Sequence, residues 1–116
     1  MFVFDESALV ALFAGYKPVF RVWDSADQGR VVVAFPATAM AEAGRQAEIS
    51  PTAWDPLVWS VSVRVLPLGE SAAKHIGSWT GSLATKHALW ESLATGWPLL
   101  TCAPDQYGSE VRLIAM

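Results

Sequence analysis

The chain has 116 residues, of which 53% are hydrophobic and 16% are charged, and its net charge is −3 at pH 7. This length and composition predict a single folded domain over residues 1–116 and exclude a disordered chain. The negative net charge argues against a dedicated nucleic-acid binder, and no apolar run is long enough to span a membrane.

The first half of the chain alternates short apolar runs with segments typical of helices. The run that ends at Asp5 is short and apolar, and it reads as a strand followed by a tight turn and a helix. The elements predicted here are a strand at residues 2–4, a helix at 7–15 with Ser7 as N-cap and Gly15 at its end, a short helix at 18–23, a strand at 30–35, and a helix that starts at Pro36.

The second half continues the alternation. The elements predicted here are a helix at residues 51–60, a strand at 61–66, helices at 70–79 and 83–95 with Ser82 capping the second, a strand at 99–101, a turn at Pro104–Asp105, and a strand at 111–114. Strands that alternate with helices form βαβ units. We therefore expect an α/β fold, a three-layer α/β/α sandwich around a mostly parallel sheet of four to five strands.

Two carboxylates stand out as candidates for a site. Asp5 follows the first strand, and the carboxyl ends of parallel strands are where ligands gather. Glu42 is an isolated charge in an apolar helix, where burial is costly unless a cation or a partner compensates. Either Glu42 meets Asp5 around a divalent cation, or it pairs with Arg45 one turn away and points to solvent.

Three segments taken together resemble the PIN-domain family, particularly the VapC-type toxins. They are the strand with Asp5 and Ser7, the run Val32–Pro36 followed by Glu42, and the run Gly96–Thr101. The resemblance covers nearly the whole chain. It implies an α/β/α sandwich and a ribonuclease that depends on Mg²⁺ or Mn²⁺, with RNA as substrate and an antitoxin protein as partner.

The same resemblance places four acids around the metal, and this chain keeps only half of them. Asp5 and Glu42 match the first two positions, whereas Thr85 and Ala103 stand where the third and fourth acids are expected. In a protein, Mg²⁺ is held by a small number of carboxylates. The loss of two of these carboxylates therefore weakens a metal site strongly. The site is therefore expected to bind metal weakly or not at all.

Two nearby residues could replace the missing acids. Asp105 is a candidate metal ligand two positions after Ala103, or simply a turn residue. His87 is a candidate base or ligand, or one half of a surface ion pair with Glu91. The remaining residues expected to line the site are Ser7, Thr85 and Thr101, with Cys102 beside them as a small buried hydrophobe.

Three functions follow as hypotheses. The first is a degenerate PIN-like protein that has weakened or lost RNA cleavage and acts by binding. The second is an active ribonuclease that uses Asp5, Glu42 and Asp105. The third is a protein-interaction module or homodimer that uses some of its six tryptophans as a binding surface. The alternative for these tryptophans is that they fill the core. The acids at Asp5 and Glu6 disfavour a signal peptide, and a single cysteine suits a reducing compartment, so we expect a cytoplasmic protein.

Overall fold

One all-parallel sheet forms the centre of the protein in a computed structural model that describes all residues, 1–116. Its strands lie in the order β3-β2-β1-β4-β5. They are β1 (Phe2–Phe4), β2 (Val33–Pro36), β3 (Val63–Leu66), β4 (Leu99–Thr101) and β5 (Leu113–Ala115). The expected α/β class with a central parallel sheet is confirmed.

Six α-helices flank the sheet and complete the three layers. They are α1 (Glu6–Phe13), α2 (Lys17–Asp27), α3 (Ala37–Ala47), α4 (Asp55–Val58), α5 (Glu70–Ile76) and α6 (Leu83–Thr95). Short 3₁₀ turns occupy Pro51–Trp54 and Pro104–Gln106. The helix predicted at 51–60 is thus a 3₁₀ turn followed by a single α turn, and it ends before the exposed Trp59.

The pleat of the strands divides the core into two parts. Successive side chains of a strand point to opposite faces, so neighbouring residues enter different clusters. Phe4, Phe35 and Leu100 face the larger cluster, together with residues of α1, α2 and α3. The opposite face is smaller and packs against α6, with Val3, Ala34, Ala88 and Leu99. All of these side chains are fully buried.

The chain order of the strands defines where a crevice must lie. From β1 the chain builds outward through β2 to β3, and it then returns to place β4 on the other side of β1. Such a reversal opens a crevice at the carboxyl ends of the two strands, which is the usual place for a ligand in an open α/β sheet. Asp5 follows β1 at this point, and Cys102 follows β4.

The tryptophans are mostly at the edges of the core. Trp23 is buried, and Trp54 and Trp97 are half-buried and pack against the two core clusters. Trp59 is 76% exposed, so the expectation of core filling is wrong for this residue. None of the helices is both long and apolar enough to cross a lipid bilayer.

Candidate functional site

Asp5 lies buried at the mouth of the crevice, with only 1% of its surface exposed. Its backbone is extended, and its side chain caps α1 by accepting a hydrogen bond from the Ala8 N–H at 2.9 Å. Asp5 rather than Ser7 is therefore the N-cap, and the predicted cap was wrong by two residues. The turn from strand to helix begins one residue earlier than the sequence pattern suggested, because Glu6 already belongs to α1.

Four donors surround the Asp5 carboxylate. Oδ1 accepts from the Ser7 hydroxyl at 2.6 Å and from the Ala8 N–H at 2.9 Å. Oδ2 accepts from the Thr101 hydroxyl at 2.5 Å and from the Tyr107 hydroxyl at 2.8 Å. A carboxylate offers about four lone-pair positions. All of them are used by the protein itself.

Ser7 and Thr101 both donate to Asp5, and both also fix the chain that leaves β4. The Cys102 N–H donates to Ser7 Oγ at 2.9 Å, and the Ala103 N–H donates to Thr101 Oγ1 at 2.9 Å. Each hydroxyl therefore donates to Asp5 while it accepts from the backbone. This arrangement connects the Asp5 carboxylate to the loop after β4 through two buried or half-buried hydroxyls.

Tyr107 is a site residue that the sequence analysis missed. Its ring packs against the smaller core cluster. Its hydroxyl donates to Asp5, although the two residues lie near opposite ends of the sequence. Burial raises the pKa of the Tyr107 phenol above its ordinary value, and the charges of Asp5 and Glu6 raise it further. The phenol therefore stays protonated and remains a hydrogen-bond donor over the physiological pH range.

Glu6 forms a second polar cluster beside Asp5, which the sequence analysis also missed. Its Oε2 accepts from the Gln46 amide of α3 at 3.0 Å. Its Oε1 lies 3.3 Å from the Ser82 hydroxyl and 3.2 Å from the Thr85 hydroxyl, both at the start of α6. Thr85 Oγ1 also lies 3.0 Å from Gln106 Oε1. Thr85, the position expected to hold the third acid, thus carries a hydroxyl whose single proton can be donated to Glu6 Oε1 or to Gln106 Oε1.

Glu42 pairs with Arg45, one of the two alternatives that the sequence left open. Arg45 Nε lies 3.1 Å from both carboxylate oxygens, and Gln46 donates to Oε1 at 3.2 Å. The hydrogen bonds from Arg45 and Gln46 lower the pKa of Glu42 to about 2. Glu42 and Asp5 share no hydrogen-bond partner. The Glu42 side chain instead borders an open groove of about 430 Å³ between α3 and the start of α6.

His87 is fully buried, so its pair with Glu91 does not lie at the surface, where it was expected. The pairing itself is present, with Nε2 3.2 Å from Glu91 Oε1. On the other side of the ring, Nδ1 lies 2.7 Å from the Thr38 hydroxyl at the start of α3. Burial lowers the pKa of His87, and the Glu91 charge opposes that shift. His87 thus connects α3 to α6.

Asp105 and Cys102 lie on the loop after β4. Asp105 is exposed within the 3₁₀ turn and makes no side-chain hydrogen bond, in agreement with its interpretation as a turn residue. Cys102 is half-buried against the larger core cluster. Burial and the nearby Asp5 charge raise the pKa of its thiol. This thiol is therefore a weak nucleophile.

The residues at the crevice do not fit a Mg²⁺ or Mn²⁺ ion. Nowhere do three or more His, Cys, Asp or Glu side chains come together in a metal-binding group. A hard cation takes oxygen atoms with free lone pairs, preferably from carboxylates. The Asp5 oxygens already accept four hydrogen bonds, and those of Glu42 face a guanidinium group.

Comparison of the sequence with protein-family models found no match, and comparison with curated proteins found no significant similarity.

Proposed function

We propose that this protein is a cytoplasmic PIN-like domain that has lost metal-dependent RNA cleavage and acts by binding. The observation that carries the proposal is the complete hydrogen bonding of Asp5. A metal ion at this carboxylate would have to displace protein donors, and two of those donors, the Ala8 N–H and the Thr101 hydroxyl, are buried. Leaving a buried donor such as the Ala8 N–H unpaired costs about 1–3 kcal/mol.

Two further observations support this proposal. The α/β/α layers agree with the architecture that the resemblance implies. The positions of the third and fourth expected acids hold Thr85 and Ala103, and both contribute to hydrogen bonding inside the protein. The former acidic centre thus acts as a connection between β1, β4 and α6.

The experiment is a metal titration combined with an RNA cleavage assay. Isothermal titration with Mn²⁺ should show no micromolar binding, and RNA incubated with the protein and Mn²⁺ should remain intact. The alternative, an active ribonuclease that uses Asp5, Glu42 and Asp105, predicts cleavage that stops with EDTA and in the variant Asp5→Asn. Cleavage with both properties would overturn the proposal, and Asp105→Asn would then test the third ligand.

A second candidate, a protein-interaction module, is favoured by exposed apolar residues at the β3 edge. Trp59, Val61 and Val65 are 76%, 91% and 44% exposed, and β3 is an edge strand with unpaired backbone groups. Edge strands of this kind pair readily with other chains. A second copy of the chain is one such partner, and an antitoxin protein is the other that the resemblance implies.

Sedimentation velocity tests the homodimer version of this candidate. We expect self-association at tens of micromolar that Trp59→Lys abolishes, while Trp79→Lys, at a half-buried tryptophan away from β3, retains it. A wild-type protein that sediments as a monomer over this range would remove the homodimer.

A further inference from the structure

The segment between β4 and β5, residues 102–112, contacts Ser7, Thr101 and Asp5 at the ends of β1 and β4. We call this segment the strap. Most of its residues are exposed or half-exposed, and its only regular structure is one 3₁₀ turn. Tyr107 and Val111 anchor it to the smaller core cluster, and Cys102 at its start packs against the larger one. A segment with so few buried contacts belongs to the part of a protein that opens most easily.

Polar contacts with the crevice hold the strap in place. The N–H groups of Cys102 and Ala103 donate to Ser7 and Thr101, the two hydroxyls that donate to Asp5. The Tyr107 hydroxyl donates directly to Asp5 Oδ2 at 2.8 Å. These three contacts belong to one hydrogen-bond network centred on the Asp5 carboxylate. One further polar contact, between Gln106 Oε1 and the Thr85 hydroxyl at 3.0 Å, joins the strap to α6 outside this network.

We infer that the strap is an intrinsic cover for the crevice and that Tyr107 is the latch that keeps it closed. The latch is the one strap side chain that donates to the buried carboxylate. A hydrogen bond to a charged acceptor is stronger than one between neutral groups. Any group that approaches Asp5 from outside must first break this contact.

The inference is independent of the proposed function and fails on a different result. Metal-dependent RNA cleavage by the wild-type protein would overturn the proposed function. Such cleavage would leave the amide hydrogen exchange of the strap unchanged.

Residue-resolved amide hydrogen exchange tests the latch in the variant Tyr107→Phe, which keeps the ring and removes the hydroxyl. The reporters are the amides of Cys102 and Ala103, whose acceptors belong to the closed network. We expect their exchange to accelerate roughly tenfold or more, the effect of losing a hydrogen bond to a charged group. Exchange of the Val33 amide, which donates to Ser62 in the sheet, should stay unchanged.

Two control variants separate the latch from general destabilisation. Tyr16→Phe changes an exposed tyrosine and should leave all three amides at the wild-type rate. Val19→Ala weakens the core at α2, near the opposite edge of the sheet, and should not accelerate Cys102 and Ala103 selectively. Unchanged exchange of both reporters in Tyr107→Phe would overturn the inference, and so would an equal acceleration at Val33.

A measurement on the wild-type protein avoids dependence on a variant. The Tyr107 hydroxyl proton, held between a half-buried phenol and a buried carboxylate, should give a slowly exchanging resonance. The exposed Tyr16 hydroxyl should give none. The absence of a slow tyrosine hydroxyl proton would contradict the latch.

Discussion

Replacing Asp5 by alanine distinguishes a structural carboxylate from a functional one. The substitution removes the acceptor of four hydrogen bonds. The half-buried Ser7 and Tyr107 hydroxyls have other groups or solvent within reach. The Thr101 hydroxyl is buried but lies 3.2 Å from Ser7 Oγ, which offers it another acceptor. The Ala8 N–H is also buried, and it loses its partner.

The expected loss of stability follows from the unpaired Ala8 N–H. At about 1–3 kcal/mol for an unpaired buried donor, Asp5→Ala should lower the free energy of unfolding by about 1–3 kcal/mol. This is a substantial share of the roughly 5–15 kcal/mol that stabilises a typical domain. In a urea titration with an m-value of about 2 kcal/mol/M, the midpoint should fall by about 0.5–1.5 M.

The variant Asp5→Asn should lie between the wild type and alanine. Asparagine keeps one oxygen for Ala8 and Ser7, and its amide group faces the Thr101 and Tyr107 hydroxyls, which can rotate to accept. Asp105→Ala is the matched control, since this exposed carboxylate makes no hydrogen bond, and its effect should stay within about 0.5 kcal/mol. A site that keeps a carboxylate for ligand binding predicts the opposite, because removing the charge there leaves stability unchanged or raises it. Equal or higher stability of Asp5→Ala would refute the structural role.

Three further predictions concern α6 and its neighbours. Burial lowers the pKa of His87, so His87 takes up a proton at a higher pH in the unfolded chain than in the folded one. The free energy of unfolding should therefore fall as the pH is lowered below about 6.5, by at most about 1.4 kcal/mol per pH unit. Urea titrations at pH 7.5 and 5 should show a smaller fall in His87→Asn, whereas a variant of the exposed His75 should retain the wild-type fall. Ser82→Ala removes the N-cap that accepts from the Thr85 N–H and should cost about 1 kcal/mol in thermal unfolding. Gly96→Ala places a Cβ at a φ of 74° and should cost about 1–2 kcal/mol by the same measurement, and an unchanged melting temperature would contradict the strain.

Local sequence signals predicted most of the fold because the three inner strands are fully or almost fully buried. Apolar, β-branched runs such as Val31–Phe35 are typical of parallel strands covered on both faces, and the first three residues of β2, Val33–Phe35, belong to this run. The strand begins at Val33 rather than Arg30, because the Arg30 N–H closes a turn on Ser25. Strand ends of this kind depend on contacts with the preceding helix, which the local pattern does not contain.

The place of the candidate site was predictable, whereas its chemistry was not. Asp5 was identified because an acid after a strand points to the crevice, a rule of topology. Glu6 follows it directly in the sequence and could have been identified on the same ground. Tyr107 carries no local signal, because it lies on an irregular loop and reaches Asp5 only through the pairing of β4 with β1.

The position of a crevice and its ability to bind therefore depend on different properties of the chain. The order of the strands places Asp5 at the crevice whatever its neighbours are. Whether Asp5 is free to bind a ligand depends on how many donors the surrounding residues direct at it. Here a loop tyrosine supplies the fourth donor and leaves no acceptor position for a ligand. A single carboxylate can thus keep its place in the fold while its role changes from binding to stability.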